Sequence, residues 1–165
     1  LWSGEEQGLI GSAQYVRAHY GYVDSLGQHF TSDHAKLAAY FNVDNGGGAI
    51  RGIYAEGNEG VVPVFNEWLA PLRDLGASIV TLAPTTGTDH QSFDRVGLPG
   101  FQFVQDELDY NSATHHTNAD VYERLVPKDM IQNAVIVASF AFNAANRSDK
   151  LPRKAVTVGG RGRNH

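Results

Sequence analysis

The sequence predicts a single α/β domain, a sandwich of helices around a largely parallel sheet. Three observations carry that expectation. Helical and strand-like segments alternate through positions 1–148 without a linker or internal repeat, the order that builds βα units. Ala38 to Val43 is an apolar run broken only by Asn42, the pattern of a strand covered on both faces. At 165 residues, 42% hydrophobic and 19% charged, the chain has the length and composition of one domain with a sizeable core.

The elements follow in order. The chain opens on Leu1-Trp2-Ser3-Gly4-Glu5-Glu6, with no Met and no leader, and its two large apolar residues read as the end of a buried strand. That opening predicts a fragment of a longer protein. Ala13, Val16 and Tyr20 at helical spacing predict a helix after the Glu5-Glu6 loop. The strand ending at Val43 exits through Asp44-Asn45-Gly46-Gly47-Gly48, and Ile50 to Ala55 reads as another short strand. Val61, Phe65, Trp68, Leu69, Leu72 and Leu75 form the clearest amphipathic helix, closed by Gly76. Pro63 is tolerated in its first turn, whereas Pro71 removes a backbone donor and predicts a kink. Ser78 to Leu82 and Gly100 to Gln105 read as buried strands, with a turn-rich functional loop from Pro84 to Ser92 between them. Met130 to Ala145 is apolar nearly all round, which predicts a helix packed deep against the sheet.

Composition narrows the function classes. No apolar run approaches the roughly 20 residues of a membrane-spanning helix. The absence of cysteine excludes disulfides, a thiol nucleophile and any Cys-ligated metal. Net charge is −5, and five of the 13 basic residues fall in the last sixteen positions, where there is no Asp or Glu. The rest of the chain is a poor surface for phosphate backbones, so nucleic acid is not an expected partner. The organisation expected is a domain over 1–150 and a basic, flexible tail over 151–165.

The chemistry-bearing residues cluster at the carboxyl ends of the expected strands, where open α/β sheets bind ligands. Glu5 and Glu6 follow Leu1-Trp2, Asp44 follows Phe41-Asn42-Val43, and the pair His115-His116 lies further on. Mixed carboxylate and imidazole donors suit zinc and related divalent ions. Adjacent glutamates are also ordinary solvated surface, and an Asp before glycines is an ordinary turn former. His19, His29 and His34 lie in polar segments without a motif.

Four ordered stretches go further: Trp2-Ser3-Gly4-Glu5-Glu6-Gln7-Gly8-Leu9-Ile10-Gly11-Ser12, Phe41-Asn42-Val43-Asp44-Asn45-Gly46, Gly87-Thr88-Asp89-His90-Gln91-Ser92-Phe93 and Thr114-His115-His116-Thr117-Asn118-Ala119-Asp120. Together they make the chain resemble the M28 family of zinc metallopeptidases, aminopeptidases and carboxypeptidase Q-like enzymes, over Leu1 to about Arg153. The resemblance implies a three-layer α/β/α sandwich with a mostly parallel central sheet, truncated at its N-terminal side. It implies Glu5 as the general base acting on the attacking water. Glu6 and His116 match ligands of one zinc, and Asp44 matches a ligand of the other. Tyr110 and His115 are candidates to face substrate or the developing oxyanion. For Asp89 and His90 loop stabilisation or pocket shaping is expected rather than ligation, and Phe93 is expected to pack under that loop.

The resemblance also shows what is missing. The family's first two ligands, a His and a bridging Asp, lie before its Glu-Glu motif, ahead of Leu1. Three protein ligands per catalytic zinc is usual, so at most one weakly bound zinc is expected in this chain, and a fragment inactive alone. Terminal peptide-bond hydrolysis is the implied reaction of the full-length parent, with a peptide substrate. A glutaminyl-cyclase-like single-zinc acyltransferase and a non-catalytic binding or assembly module are the rivals. A homo-oligomer formed through exposed truncated surface and a secreted or periplasmic location complete the expectations.

Overall fold

The structure, a computed structural model, describes residues 1–156. Ten regular elements order as α1 (Ile10–His19), β1 (Gly21–Asp24), β2 (Gly27–Phe30), β3 (Tyr40–Asn42), β4 (Ile50–Tyr54), α2 (Val62–Leu69), β5 (Ile79–Thr81), α3 (His90–Asp94), β6 (Gly100–Gln105) and α4 (Pro127–Asn146). The fold is mixed α/β. Four strands form the main sheet in the order β3-β6-β4-β5, and β1 and β2 form a separate antiparallel hairpin.

Two of the three pairings in the main sheet are parallel, β3 with β6 and β4 with β5, while β4 and β6 run antiparallel. Chain length explains the exception. Only Val43 to Ala49 connect β3 to β4, too few residues for the crossover of a dozen or more that a parallel return needs. β4 therefore returns antiparallel, with β6 filling the place between them. Gly52 lets β4 and β5 approach, because a Cβ there would run into the Ile79 carbonyl.

The two faces of the β3/β6 pair are covered by different helices, as the strand's alternation requires. Phe41, Phe101 and Phe103 face α2 and α4, where they meet Phe65, Trp68, Ile136 and Phe140 in the main core. Tyr40 points the other way and stacks on Phe93 of α3, with ring centroids 4.1 Å apart. Val16 of α1 and Leu98 complete that smaller cluster. Buried Ser12 and Ser92 join α1 to α3 through hydroxyls 2.8 Å apart.

Several expectations need correction. Leu1-Trp2 is not a strand: Leu1 is fully exposed, and Trp2 packs sideways on Tyr15 and Phe93. The β1–β2 hairpin has no counterpart in the sequence reading, because its strands are four residues each and mostly polar. β5 is a sheet edge with Ile79 47% exposed, not a buried strand. α2 ends at Leu69 and continues as a 3-10 helix over Ala70–Leu75, since Pro71 has no N–H to carry the α-helical ladder on. α4 buries one face only, through Asn133, Ile136 and Phe140, and leaves Ile131 and Phe142 about two-thirds exposed, at 68% and 66%.

The domain does not stop at 150. Leu151 is buried in the main core, and Arg153 donates to the Leu37 carbonyl at 2.8 Å. Lys154 pairs with Asp94 at 2.7 Å. The flexible tail expected over 151–165 is thus docked through 156, and its remainder, 157–165, lies outside the described residues.

Candidate active site

Four segments separated in sequence build one cleft of about 530 Å³, whose walls include Glu5, Glu6, Asp44, Tyr110, His115 and His116. The first segment is a compact turn ahead of α1. Gly8 and Leu9 N–H groups donate to the Glu5 carbonyl at 3.0 and 2.8 Å, and Ile10 and Gly11 donate to Gly4 and Ser3. A Cβ on Gly11 would collide with the Ser3 backbone, so only glycine lets the helix close this tightly over the turn. Glu5 is left half-buried on the cleft wall and Glu6 exposed beside it.

Asp44 leaves the end of β3 into the glycine loop. Gln105 of β6 holds that loop, accepting from the Asn45 N–H at 3.0 Å and donating to the Gly46 carbonyl at 2.7 Å. From α4, Asn133 accepts from the Ile50 N–H and donates to the Gly48 carbonyl, which satisfies the loop's far end. The Asp44 carboxylate is fixed by a chain of side-chain hydrogen bonds. Trp2 Nε1 donates to the Tyr40 hydroxyl at 2.9 Å, Tyr40 to Asn42 Oδ1 at 2.7 Å, Asn42 Nδ2 to Thr88 Oγ1 at 2.6 Å, and Thr88 to Asp44 Oδ2 at 2.6 Å. Trp2 thus belongs to the site's support, not to a strand.

Asp89 and His90 lie at the start of α3, both buried. His90 is fully enclosed, with Nε2 3.3 Å from Oε1 of Glu56, and Glu56 in turn accepts from the Thr85 N–H. Neither ring nitrogen of His90 completes a hydrogen bond, so its contact with Glu56 is one of proximity at the base of the loop. Asp89 departs from the expectation. Its carboxylate comes within 4.8 Å of those of Glu5 and Asp44, and its Oδ1 is buried without a hydrogen-bond partner. Asp89 thus joins the candidate site, where the sequence had pointed only to loop stabilisation or pocket shaping. The available signal was the Thr88-Asp89-His90 stretch in a turn-rich loop; the direction of its side chain is a tertiary property.

The fourth segment is a π-helical turn, Tyr110–Thr114, in which Thr114 and His115 N–H groups reach back five residues. Such turns recur at functional sites. Tyr110 and His115 stack at 4.5 Å, and His115 lies 3.9 Å from the His116 ring. Gly46 makes room for Tyr110, since a Cβ there would stand 3.1 Å from its ring. His116 adopts φ +56°, a positive value uncommon outside glycine that the surrounding structure must support. Its Nε2 lies 2.7 Å from Glu6 Oε2, both side chains 62% exposed.

The electrostatics follow from this crowding. Burial, and then the charges of Asp44, Asp89 and Glu6, hold the Glu5 carboxyl above the usual carboxylate range, with His116 pulling the other way. Asp44 is open to the cleft yet surrounded closely enough that desolvation raises it too; the Thr88 hydrogen bond opposes this and Asp89 reinforces it. Tyr110 is raised by burial and by Asp44, Glu6 and Glu5, so its hydroxyl stays a donor. Three carboxylates this close, one with an unpaired buried oxygen, form a hollow that a divalent cation would stabilise, and the exposed Glu6–His116 pair adds oxygen and imidazole donors at its rim. The residues present fit such an ion.

A family model described as peptidase family M28 matches residues 1–141. The chain belongs to peptidase family M28. Carboxypeptidase Q of Rattus norvegicus is 26% identical over 153 residues, which is 93% of this chain and 30% of that protein. A probable leucine aminopeptidase of Arthroderma otae is 22% identical over 145 residues, 87% of this chain and 38% of that protein. The crystal structure of a peptidase M28 precursor from Shewanella amazonensis SB2B superposes with a TM-score of 0.73 at 25% identity, covering 94% of this chain and 33% of that one. The M28 chain thus spans about a third of the length of these relatives. Among its described residues no helix is long and apolar enough to cross a membrane.

Proposed function

We propose that this chain supplies the general base and three of the ligands of a zinc-dependent exopeptidase, whose full-length form hydrolyses a terminal peptide bond. The observation that carries the reading is the convergence of Glu5, Asp44 and Asp89 within 4.8 Å of one another, beside the Glu6–His116 pair. Glu6, His116 and Asp44 would hold zinc, with Asp89 as a further carboxylate at the same hollow. Bound there, the ion supplies Lewis-acid chemistry, polarising the scissile carbonyl and acidifying water. Glu5 takes the proton of the attacking water on its carboxylate oxygen and passes it to the leaving amine. Its raised pKa suits both halves of that exchange. The Tyr110 hydroxyl and the His115 ring, both on the cleft wall, would donate to the carbonyl oxygen as charge develops. The family resemblance adds a secreted or periplasmic setting to this reading.

The direct test measures hydrolysis of dipeptides and aminoacyl-anilides by the full-length protein before and after metal chelation. Since metal chemistry contributes several kcal/mol to such a barrier, stripping is expected to slow hydrolysis at least about 100-fold, with recovery on adding zinc. Unchanged rates after complete stripping would refute the metal-dependent mechanism.

Thr88 supports this site through Asp44. Thr88→Val removes the hydrogen bond to Oδ2 while keeping the volume, and is expected to weaken zinc binding about 10- to 100-fold in competition with a chromophoric chelator. Thr88→Ser keeps the hydroxyl and should restore most of the affinity. Equal affinity in all three proteins would show that Thr88 does not orient the ligand.

A further inference from the structure

α4 carries a second apolar face that the fold does not use. From Met130 to Asn146 the helix has no charged residue. Asn133, Ile136 and Phe140 lie buried on the sheet side. On the opposite side Ile131, Val135 and Phe142 are exposed. The positions between them on that side are alanines, Ala134, Ala138, Ala141 and Ala145, all exposed as well. At 3.6 residues per turn these residues share one face about 120° wide, centred on Ala138 and free of polar side chains. A helix apolar on both sides is ordinarily covered on both. A helix of the same layer cannot do this. α2 packs on the same side of the sheet, where Trp68 meets Phe140, and a helix in that layer touches the flank of α4 rather than the face opposite the sheet. A lipid surface is a poor occupant too, because helices that lie on membranes carry Lys or Arg along their polar border, and this stretch has none.

We propose that this face of α4 joins two copies of the protein, their helices packing antiparallel about a twofold axis at Ala138. The order of sizes along the face selects a second copy. A twofold axis sets each residue against the one equally far on its other side: Ile131 against the partner's Ala145, Ala134 against the partner's Phe142, and Val135 against the partner's Ala141. Every large side chain thus meets a small one. Alanine meets alanine at the axis, which lets the helices approach to about 8 Å. The charges at the ends agree. Lys128 and Asp149 flank the uncharged stretch, both exposed, and among the described residues neither takes part in an ion pair. About 30 Å of helix separates them within one chain, whereas antiparallel pairing brings each to its opposite in the second copy. Parallel packing would set Lys128 beside Lys128 and Phe142 against Phe142.

Sedimentation equilibrium of the full-length protein tests this. The contact from Ile131 to Ala145 is about 21 Å long, smaller than a standard interface, so a monomer–dimer equilibrium is expected with a dissociation constant of about 10 to 100 μM. Ala138→Glu sets two carboxylates together at the axis and should weaken association at least about 100-fold. Phe142→Glu should act alike. Well below the dissociation constant, where wild type is monomeric, Ala138→Glu should keep wild-type helicity and melting, because position 138 is exposed. Lys128→Glu and Asp149→Lys should each weaken the dimer about 3- to 10-fold, and the two together should restore it. A protein that stays monomeric well above that range overturns the proposal, as does a dimer that Ala138→Glu leaves intact. If such a monomer melts lower on Ala138→Glu, another part of the same chain covers α4; if it cosediments with phosphatidylcholine–phosphatidylserine vesicles, a lipid surface does. A dimer broken by Ala138→Glu but unmoved by the charge reversals overturns the antiparallel register.

Discussion

Glu5→Gln is expected to lower hydrolysis by the full-length protein about 100- to 10,000-fold, the range typical of a positioned general base. The amide keeps the shape of the carboxylate and cannot accept the proton. Little else should change. Glu5 is half-buried, and its backbone carbonyl, not its side chain, holds the turn by accepting from Gly8 and Leu9. The substitution also removes one of three crowded carboxylates, which relieves repulsion with Asp44 and Asp89. The variant should therefore melt no lower than wild type in the metal-free state and still bind zinc through Glu6, His116 and Asp44. The decisive measurement pairs kcat/KM with zinc affinity. A Glu5→Gln protein with full zinc content and wild-type turnover would remove Glu5 from the mechanism; loss of activity together with zinc would recast it as a ligand.

Phe140→Ala should produce the largest loss of stability, about 3 to 5 kcal/mol in denaturant unfolding. Phe140 is fully buried on the inner face of α4. Its ring meets Trp68 at 5.4 Å, Phe103 at 5.2 Å and Phe41 at 5.7 Å, all close to edge-to-face, and Phe65 at 5.6 Å. Truncation removes the anchor joining α4 and α2 to the sheet and leaves a cavity walled by rigid aromatic rings, which cannot collapse to fill it. The effect should reach the site. Asn133, on the same face of α4 two turns earlier, bonds the Gly48 carbonyl at the end of the loop that carries Asp44. Phe142→Ala, on the exposed face, is the matched control and should cost under about 1 kcal/mol. Equal losses at both positions would mean that α4 does not pack as described.

The residue patterns that were easiest to read were local. Ile50–Tyr54 and Gly100–Gln105 were legible within a residue or so as short strand-like segments, and the amphipathic helix from Val62 was legible from its 3.6-residue period. Where local pattern and packing diverged, the reading failed in a physically regular way. The apolar residues of α4 look buried on every side by composition, yet a helix resting on one sheet covers about one face, and Ile131 and Phe142 remain outside. The β1–β2 strands are held by each other's backbone, with too little apolar alternation to signal a strand.

The candidate site divides along the same line. Sequence by itself offered the candidate carboxylates and imidazole and their order, Glu5-Glu6, Asp44 and His116, through the resemblance of the stretches that carry them. It also determined that Gly46 to Gly48 would turn the strand exit sharply. Only the tertiary structure decided which side chains meet: Asp89 with Glu5 and Asp44, Glu6 with His116, and Trp2 at the far end of the hydrogen bonds that hold Asp44. Those proximities arise from strand order and helix docking, set by the burial of aromatic residues far from the cleft. Main-core packing supplies the stability that holds like charges together, and no short-range pattern in the chain records where that packing will place them.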